Sequence, residues 1–80
     1  MVEVRYFAAI AEAVGKNSER LDLPVGATIA DLRRSLGDAY GTDLDPMLKV
    51  CAFLLGDELT RDEAAHLTER VDVLPPFAGG

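Results

Sequence analysis

The residues with the clearest chemical potential stand together at the carboxyl end, Pro75-Pro76-Phe77-Ala78-Gly79-Gly80. Each proline fixes its own φ and biases the residue before it towards extended backbone, so the pair forms a stiff lead with a set direction. The two glycines lack a Cβ and can enter a channel too narrow for any other residue. Extended, the four residues after Pro76 reach about 13 Å at roughly 3.3 Å each. This order of parts predicts a tethered α-carboxylate delivered into another protein's active site. Gly80 is the expected reacting group, and Pro75, Pro76, Phe77, Ala78 and Gly79 form the inserted segment. The bland alternative is a frayed terminus. A carboxylate is a poor electrophile because its anion is resonance-stabilised, so it needs activation, and acyl-phosphate formation with ATP supplies it.

The other reactive side chains have plainer readings. Cys51 sits in an apolar run, where a lone cysteine is a small buried hydrophobe rather than a nucleophile. His66 has no second histidine and no nearby cysteine, so neither metal ligation nor base catalysis is expected. Asp57-Glu58 and Asp62-Glu63 read as solvated turns, and Arg33-Arg34 as the wet side of a helix. No nucleophile–base pair and no metal cluster is expected, and no bound cofactor. The chain reads as a carrier and co-substrate whose chemistry resides in its partners.

Eighty residues allow one domain with a small core, and 49% hydrophobic against 28% charged composition fits a folded chain. One cysteine excludes an internal disulfide framework and suits a reducing, cytoplasmic setting. No leader-like segment and no apolar run of membrane-spanning length is evident, so neither secretion nor membrane insertion is expected. The formal net charge of −6, with the bases scattered along the chain, argues against nucleic-acid binding and suits docking on basic protein surfaces.

The positioning elements follow from periodicity. Val2, Val4 and Tyr6 alternate with Glu3, Arg5 and Phe7, predicting a half-buried strand. Ala8 to Val14 reads as a short helix ended by Gly15. Leu21, Leu23 and Val25 alternate with Asp22 and Pro24, predicting a second strand, after a connection at Lys16-Asn17-Ser18. Thr28 with Asp31 resembles a capping box, and Ile29, Leu32 and Leu36 then share one helical face. That helix ends at Gly37 or continues imperfectly to Tyr40, and Gly41 to Pro46 reads as loop. Lys49 to Leu55 has the length of a strand, Gly56-Asp57 marks a turn, and Leu59 falls on a very short strand. Arg61 to His66 suggests one helical turn, and Arg70 to Leu74 alternates as a final strand. The order predicts an α+β roll, a mixed sheet of four or five strands with one main helix on one face. The domain spans residues 1–75, followed by a flexible tail at 76–80.

One helix leaves the other side of the sheet open. If Val2, Val4 and Tyr6 face the helix, Phe7 and Leu74 point away from it. In the third strand either Cys51, Phe53 and Leu55 or Val50, Ala52 and Leu54 is buried, and the sequence leaves both open. An apolar patch of Phe7, Leu74 and Phe53 near the tail is the expected docking surface, the alternative being a second small core under a loop.

Val4-Arg5-Tyr6-Phe7-Ala8-Ala9 with Glu12-Ala13-Val14-Gly15, then Ala27-Thr28-Ile29-Ala30-Asp31-Leu32, then Asp72-Val73-Leu74-Pro75-Pro76-Phe77-Ala78-Gly79-Gly80 together resemble the small subunit of molybdopterin synthase. The resemblance implies a β-grasp, ubiquitin-like fold. It also implies that a ubiquitin-activating-type adenylyltransferase adenylates Gly80 and that a sulfur donor then converts it to a thiocarboxylate. The large synthase subunit would take in the tail, and the sulfur would pass to cyclic pyranopterin monophosphate. A thiamine-type sulfur carrier, a ubiquitin-like protein modifier and a plain interaction module are the rival readings.

Overall fold

Alternation in the first strand builds the centre of the molecule. In the computed structural model, which describes residues 1–76, β1 (Val2–Tyr6) turns Val2, Val4 and Tyr6 into the core and leaves Glu3 and Arg5 on the opposite face. It is followed by α1 (Ala8–Val14), β2 (Ser18–Leu21), α2 (Ile29–Tyr40), a 3-10 turn (Thr42–Leu44), α3 (Asp45–Val50), β3 (Ala52–Leu55), β4 (Glu58–Thr60) and β5 (Arg70–Leu74). The five strands form one mixed sheet in the order β2-β1-β5-β3-β4. β1 and β5 run parallel at its centre, while β2 on β1, β3 on β5 and β4 on β3 are antiparallel. This is the expected α+β roll, a ubiquitin-like β-grasp.

The single core lies on the helical side. Val4, Tyr6, Val71, Val73, Phe53 and Leu55 from the sheet join Ile10 of α1 and Ile29, Leu32 and Leu36 of α2 in one buried cluster. The helix α2 begins as expected. Thr28 Oγ1 accepts from the Asp31 amide at 3.3 Å, and the Asp31 carboxylate accepts from the Thr28 amide at 2.9 Å, a reciprocal cap. The Ile29 and Ala30 amides, the next donors of the first turn, reach the carbonyls of Ala65 and Glu63, both at 3.0 Å. The connection between β4 and β5 is thus a strap over the start of α2; where one helical turn was expected over Arg61 to His66 it holds a single tight turn, closed by the Ala65 amide on the Asp62 carbonyl at 3.0 Å. Gly37 lies within the helix, which runs on to Tyr40 and stops at Gly41, whose φ of 94° and ψ of 159° suit glycine alone.

Two stretches correct the sequence reading. The second strand falls at Ser18–Leu21, earlier than the Leu21–Val25 alternation suggested, because it pairs with β1 from Val2↔Leu21 to Arg5↔Ser18. As an edge strand packed on one side only, it needs little apolar content, and Val25 is fully exposed. The expected Gly41–Pro46 loop and the head of the expected Lys49–Leu55 strand are helical instead. Pro46 sits in the first turn of α3, where its missing N–H costs nothing, and Leu44, Leu48 and Cys51 recur at helical spacing into the core.

Candidate functional site: the tail exit and the open sheet face

The tail springs from the most firmly held strand in the molecule. β5 is hydrogen-bonded on both sides, with Tyr6↔Val73 in register on β1 and Ala52↔Leu74 on β3. Val71 and Val73 are fully buried beneath it. Pro75 is half-buried and Pro76 exposed, so the stiff lead begins where the sheet ends. Phe77, Ala78, Gly79 and Gly80 lie outside the described residues.

Opposite the helices, alternation places Glu3, Arg5 and Phe7 from the β1 segment beside Arg70, Asp72 and Leu74 of β5. Ala52 and Leu54 of β3 and Leu59 of β4 extend this face, since Leu54 pairs with both Asp72 and Leu59. No helix covers it. Phe7, Leu54 and Leu74 are half-buried, and Leu59 is 60% exposed, so the four together give this face its apolar content. Arg5 organises the centre. Its guanidinium lies 5.5 Å from the Phe7 ring centroid, and its Nε is 3.6 Å from Asp72 Oδ1, an ion pair longer than a hydrogen bond.

Of the three residues expected in the docking patch, the structure places two on this face. Phe7 and Leu74 occupy adjacent positions at the tail exit. Phe53 does not join them: it is 2% exposed and packs in the core with Cys51 and Leu55. The register of β3 against β5 decides this, because Phe53 pairs with inward-facing Val73 while Ala52 and Leu54 pair with outward-facing Leu74 and Asp72. Leu54 and Leu59 take the place given to Phe53. Their signal in the sequence, an apolar run without polar alternation, marks a strand but not its inner side.

Ala8, which follows Phe7, has a φ of 51°, a left-handed conformation rare for a residue with a Cβ. It turns the chain sharply from β1 into α1 and so fixes where the Phe7 segment ends beside the tail.

The remaining polar residues support the frame. Cys51 is buried at the end of α3, donates its thiol to the Met47 carbonyl at 3.2 Å, and is pushed to a higher pKa by burial, which makes it a weak nucleophile. His66 Nδ1 lies 2.9 Å from the Gly26 carbonyl, so that nitrogen carries the proton. Among the described residues no group of three or more His, Cys, Asp or Glu side chains could hold a metal ion. None of their helices is long and apolar enough to cross a membrane. Arg33 is not on a wet face. Its side chain is only 12% exposed and forms ion pairs with Asp45, at 3.0 Å, and with Glu63, tying α2 to α3 and to the strap.

A five-stranded roll with one bare face and a proline-led tail at its central strand defines a ubiquitin-like carrier class. Residues 4–80 match the model of the ThiS family, and the chain belongs to that family. It is 34% identical over 82 residues to the molybdopterin synthase sulfur carrier subunit of Chlamydomonas reinhardtii, covering 99% of this chain and 98% of that one. It also resembles a solved protein–protein complex of subunits 1 and 2 of the molybdopterin-converting factor of Helicobacter pylori. There the identity is 28%, the TM-score 0.65 and the coverage 99% of this chain and 97% of the matched one. SAMP1 of Haloferax volcanii has the same fold, with a TM-score of 0.77 at 22% identity, covering 99% and 98% of the two chains.

Proposed function

We propose that this chain is the sulfur carrier subunit of a molybdopterin synthase, working through the carboxyl of Gly80. The observation that carries the reading is the union of a stiff exit from the central strand with an uncovered, partly apolar face beside it. The relative at 34% identity bears that function in its name. The Gly80 carboxylate attacks the α-phosphate of ATP in an activating enzyme, releasing pyrophosphate and leaving an acyl-adenylate. A sulfur donor displaces AMP to give the thiocarboxylate. The large subunit then docks on Phe7, Leu54, Leu59 and Leu74, draws in the tail, and transfers the sulfur, and water restores the carboxylate.

The roll contributes positioning rather than catalysis. Holding β5 between two strands fixes the origin of the tail, so the reach of about 13 Å after Pro76 is spent on insertion and not on searching. A cytoplasmic location goes with this reading, since the thiocarboxylate and the lone thiol both need a reducing compartment.

Mass spectrometry of the intact protein, after incubation with ATP, the activating enzyme and a sulfide source, tests the proposal. The expected product is heavier by one sulfur replacing one oxygen, located on Gly80. Isopeptide adducts on target lysines, with no sulfur gained, would instead make the chain a protein modifier. Appending one residue after Gly80 should abolish sulfur loading completely. A chain that still loads and supports molybdopterin synthesis with that extension is not using Gly80.

A further inference from the structure

The fold gathers three of the eight bases onto the open face. In β2, Arg20 pairs with Glu3, and in β5 Arg70 pairs with the same Glu3, so one acid stands between two arginines on one row. Arg5 lies on the next row, between Ser18 and Asp72. By strand alternation this face holds Arg5, Arg20 and Arg70 against Glu3 and Asp72, a formal +1, which leaves −7 for the rest of a chain of net charge −6. Counting Glu69, which lies at the rim, the face is neutral and still far from the surrounding acidity. Arg20 and Arg70 are exposed, and among the described residues neither is in an ion pair within 4.0 Å. They border a recess formed with Met1, Glu3, Gly56 and Glu69.

This arginine end and the apolar end belong to one footprint. Arg70 precedes Leu74 by four residues on the same strand, about 13 Å at roughly 3.3 Å per residue. A standard interface covers about 800 Å² per partner, a disc of roughly 16 Å radius, so a protein seated over Leu74 and the tail exit also covers Arg70 and reaches Arg20, two strands away, at its rim. Arginines at the edge of that footprint with carboxylates opposite supply orientation.

We infer that Arg20 and Arg70 form an orienting site for carboxylates of the large subunit that receives the tail, and that they set which way round the open face docks. The inference rests on the carrier reading and adds the partner's charge pattern: an apolar patch against Phe7 and Leu74, and acidic side chains about 13 Å away along β5. Fields of this kind act mainly on encounter. The association rate carries the effect, and salt removes it.

Stopped-flow association of the full chain with the large synthase subunit of the same organism, at low and at high salt, tests the inference. The variant Arg20→Glu with Arg70→Glu is compared with Arg34→Glu with Lys49→Glu, which makes the same change of net charge on exposed helical positions behind the sheet. The first pair should slow association about tenfold at low salt and converge on wild type at high salt, while the second pair stays within about twofold. Arg20→Ala with Arg70→Ala should show a smaller loss of the same kind, and a cooperative unfolding transition well above the assay temperature confirms that all variants are folded, including the control pair, which loses ion pairs to Asp31 and Asp45. Equal behaviour of the two reversed pairs overturns the inference and leaves the carrier reading intact. So does a wild type that self-associates through Arg20 and Arg70 in sedimentation while its rate with the large subunit is indifferent to them. Wild type that fails to bind the large subunit at all defeats the carrier reading itself, and the inference with it.

Discussion

Glu19 is the residue on which the frame converges. It points from the edge strand β2 towards the helical side, where it accepts from the Tyr6 hydroxyl, from the Tyr40 hydroxyl at 2.7 Å, and pairs with Lys16 at 3.5 Å. One carboxylate thus links β1, β2 and the end of α2. Burial opposes its charge, but the two hydroxyls and the ammonium outweigh burial and hold its carboxyl below the usual range. Burial first, and then the bond to Glu19, pushes the Tyr6 phenol far above its ordinary value, so it stays a donor. A carboxyl that titrates lower in the folded than in the unfolded chain stabilises fully above its unfolded value, and that contribution fades as the pH falls below it. Stability should therefore decline below about pH 4.5, and Glu19→Gln should flatten this part of a denaturation profile measured against pH. Tyr6→Phe should cost about 2 kcal/mol in the same assay at neutral pH, as the loss of a hydrogen bond to a charged acceptor. None of this network was legible in the sequence. Tyr6, Glu19 and Tyr40 are far apart along the chain, and only the β1–β2 register and the length of α2 bring them together.

The helix α2 was the most legible element, because its signals are local. A Thr cap, an acid three residues on and an apolar stripe at Ile29, Leu32 and Leu36 act within a few turns and do not depend on the rest of the fold. Thr28→Ala should cost about 1 kcal/mol in chemical denaturation. Gly37 tests the same helix in the other direction: a Cβ there meets nothing within 4 Å, and its φ is not in the left-handed range. Gly37→Ala should then raise stability by roughly 0.5–1 kcal/mol, and a loss would mean that the position has a partner in the folded chain. Gly41 to Pro46 and the head of the Lys49–Leu55 run are hard to read for the converse reason. The helix there is short and ends immediately before β3, so Lys49 and Val50 merge with Cys51–Leu55 into one apolar run. Periodicity over so few residues does not separate helix from strand, and packing of Leu44 and Leu48 into the core settles it.

On the scale of the whole molecule, the sheet has two faces with different duties, and substitutions should sort accordingly. Phe53→Ala removes a ring from the core and should cost about 4 kcal/mol, a large share of the stability of so small a domain. Phe7→Ala and Leu74→Ala, on the open face, should each cost about 1 kcal/mol, yet should weaken binding to the large subunit about tenfold or more in calorimetric titration. The reverse pattern, binding kept by the Leu74 variant and lost only through unfolding, would assign docking elsewhere.

The sequence by itself determined the roll, because strand alternation and helix capping are short-range, and it alone carries the proposal that Gly80 is the reacting group, through the backbone restrictions of proline and glycine. Only the tertiary structure decided which side of β3 is buried, where β2 begins, that Arg33 is enclosed by Asp45 and Glu63, and that Arg5, Arg20 and Arg70 share a face. Each of those depends on register between strands or on contacts between distant segments. A shift of one residue exchanges the faces of a strand without altering its own pattern of apolar and polar residues.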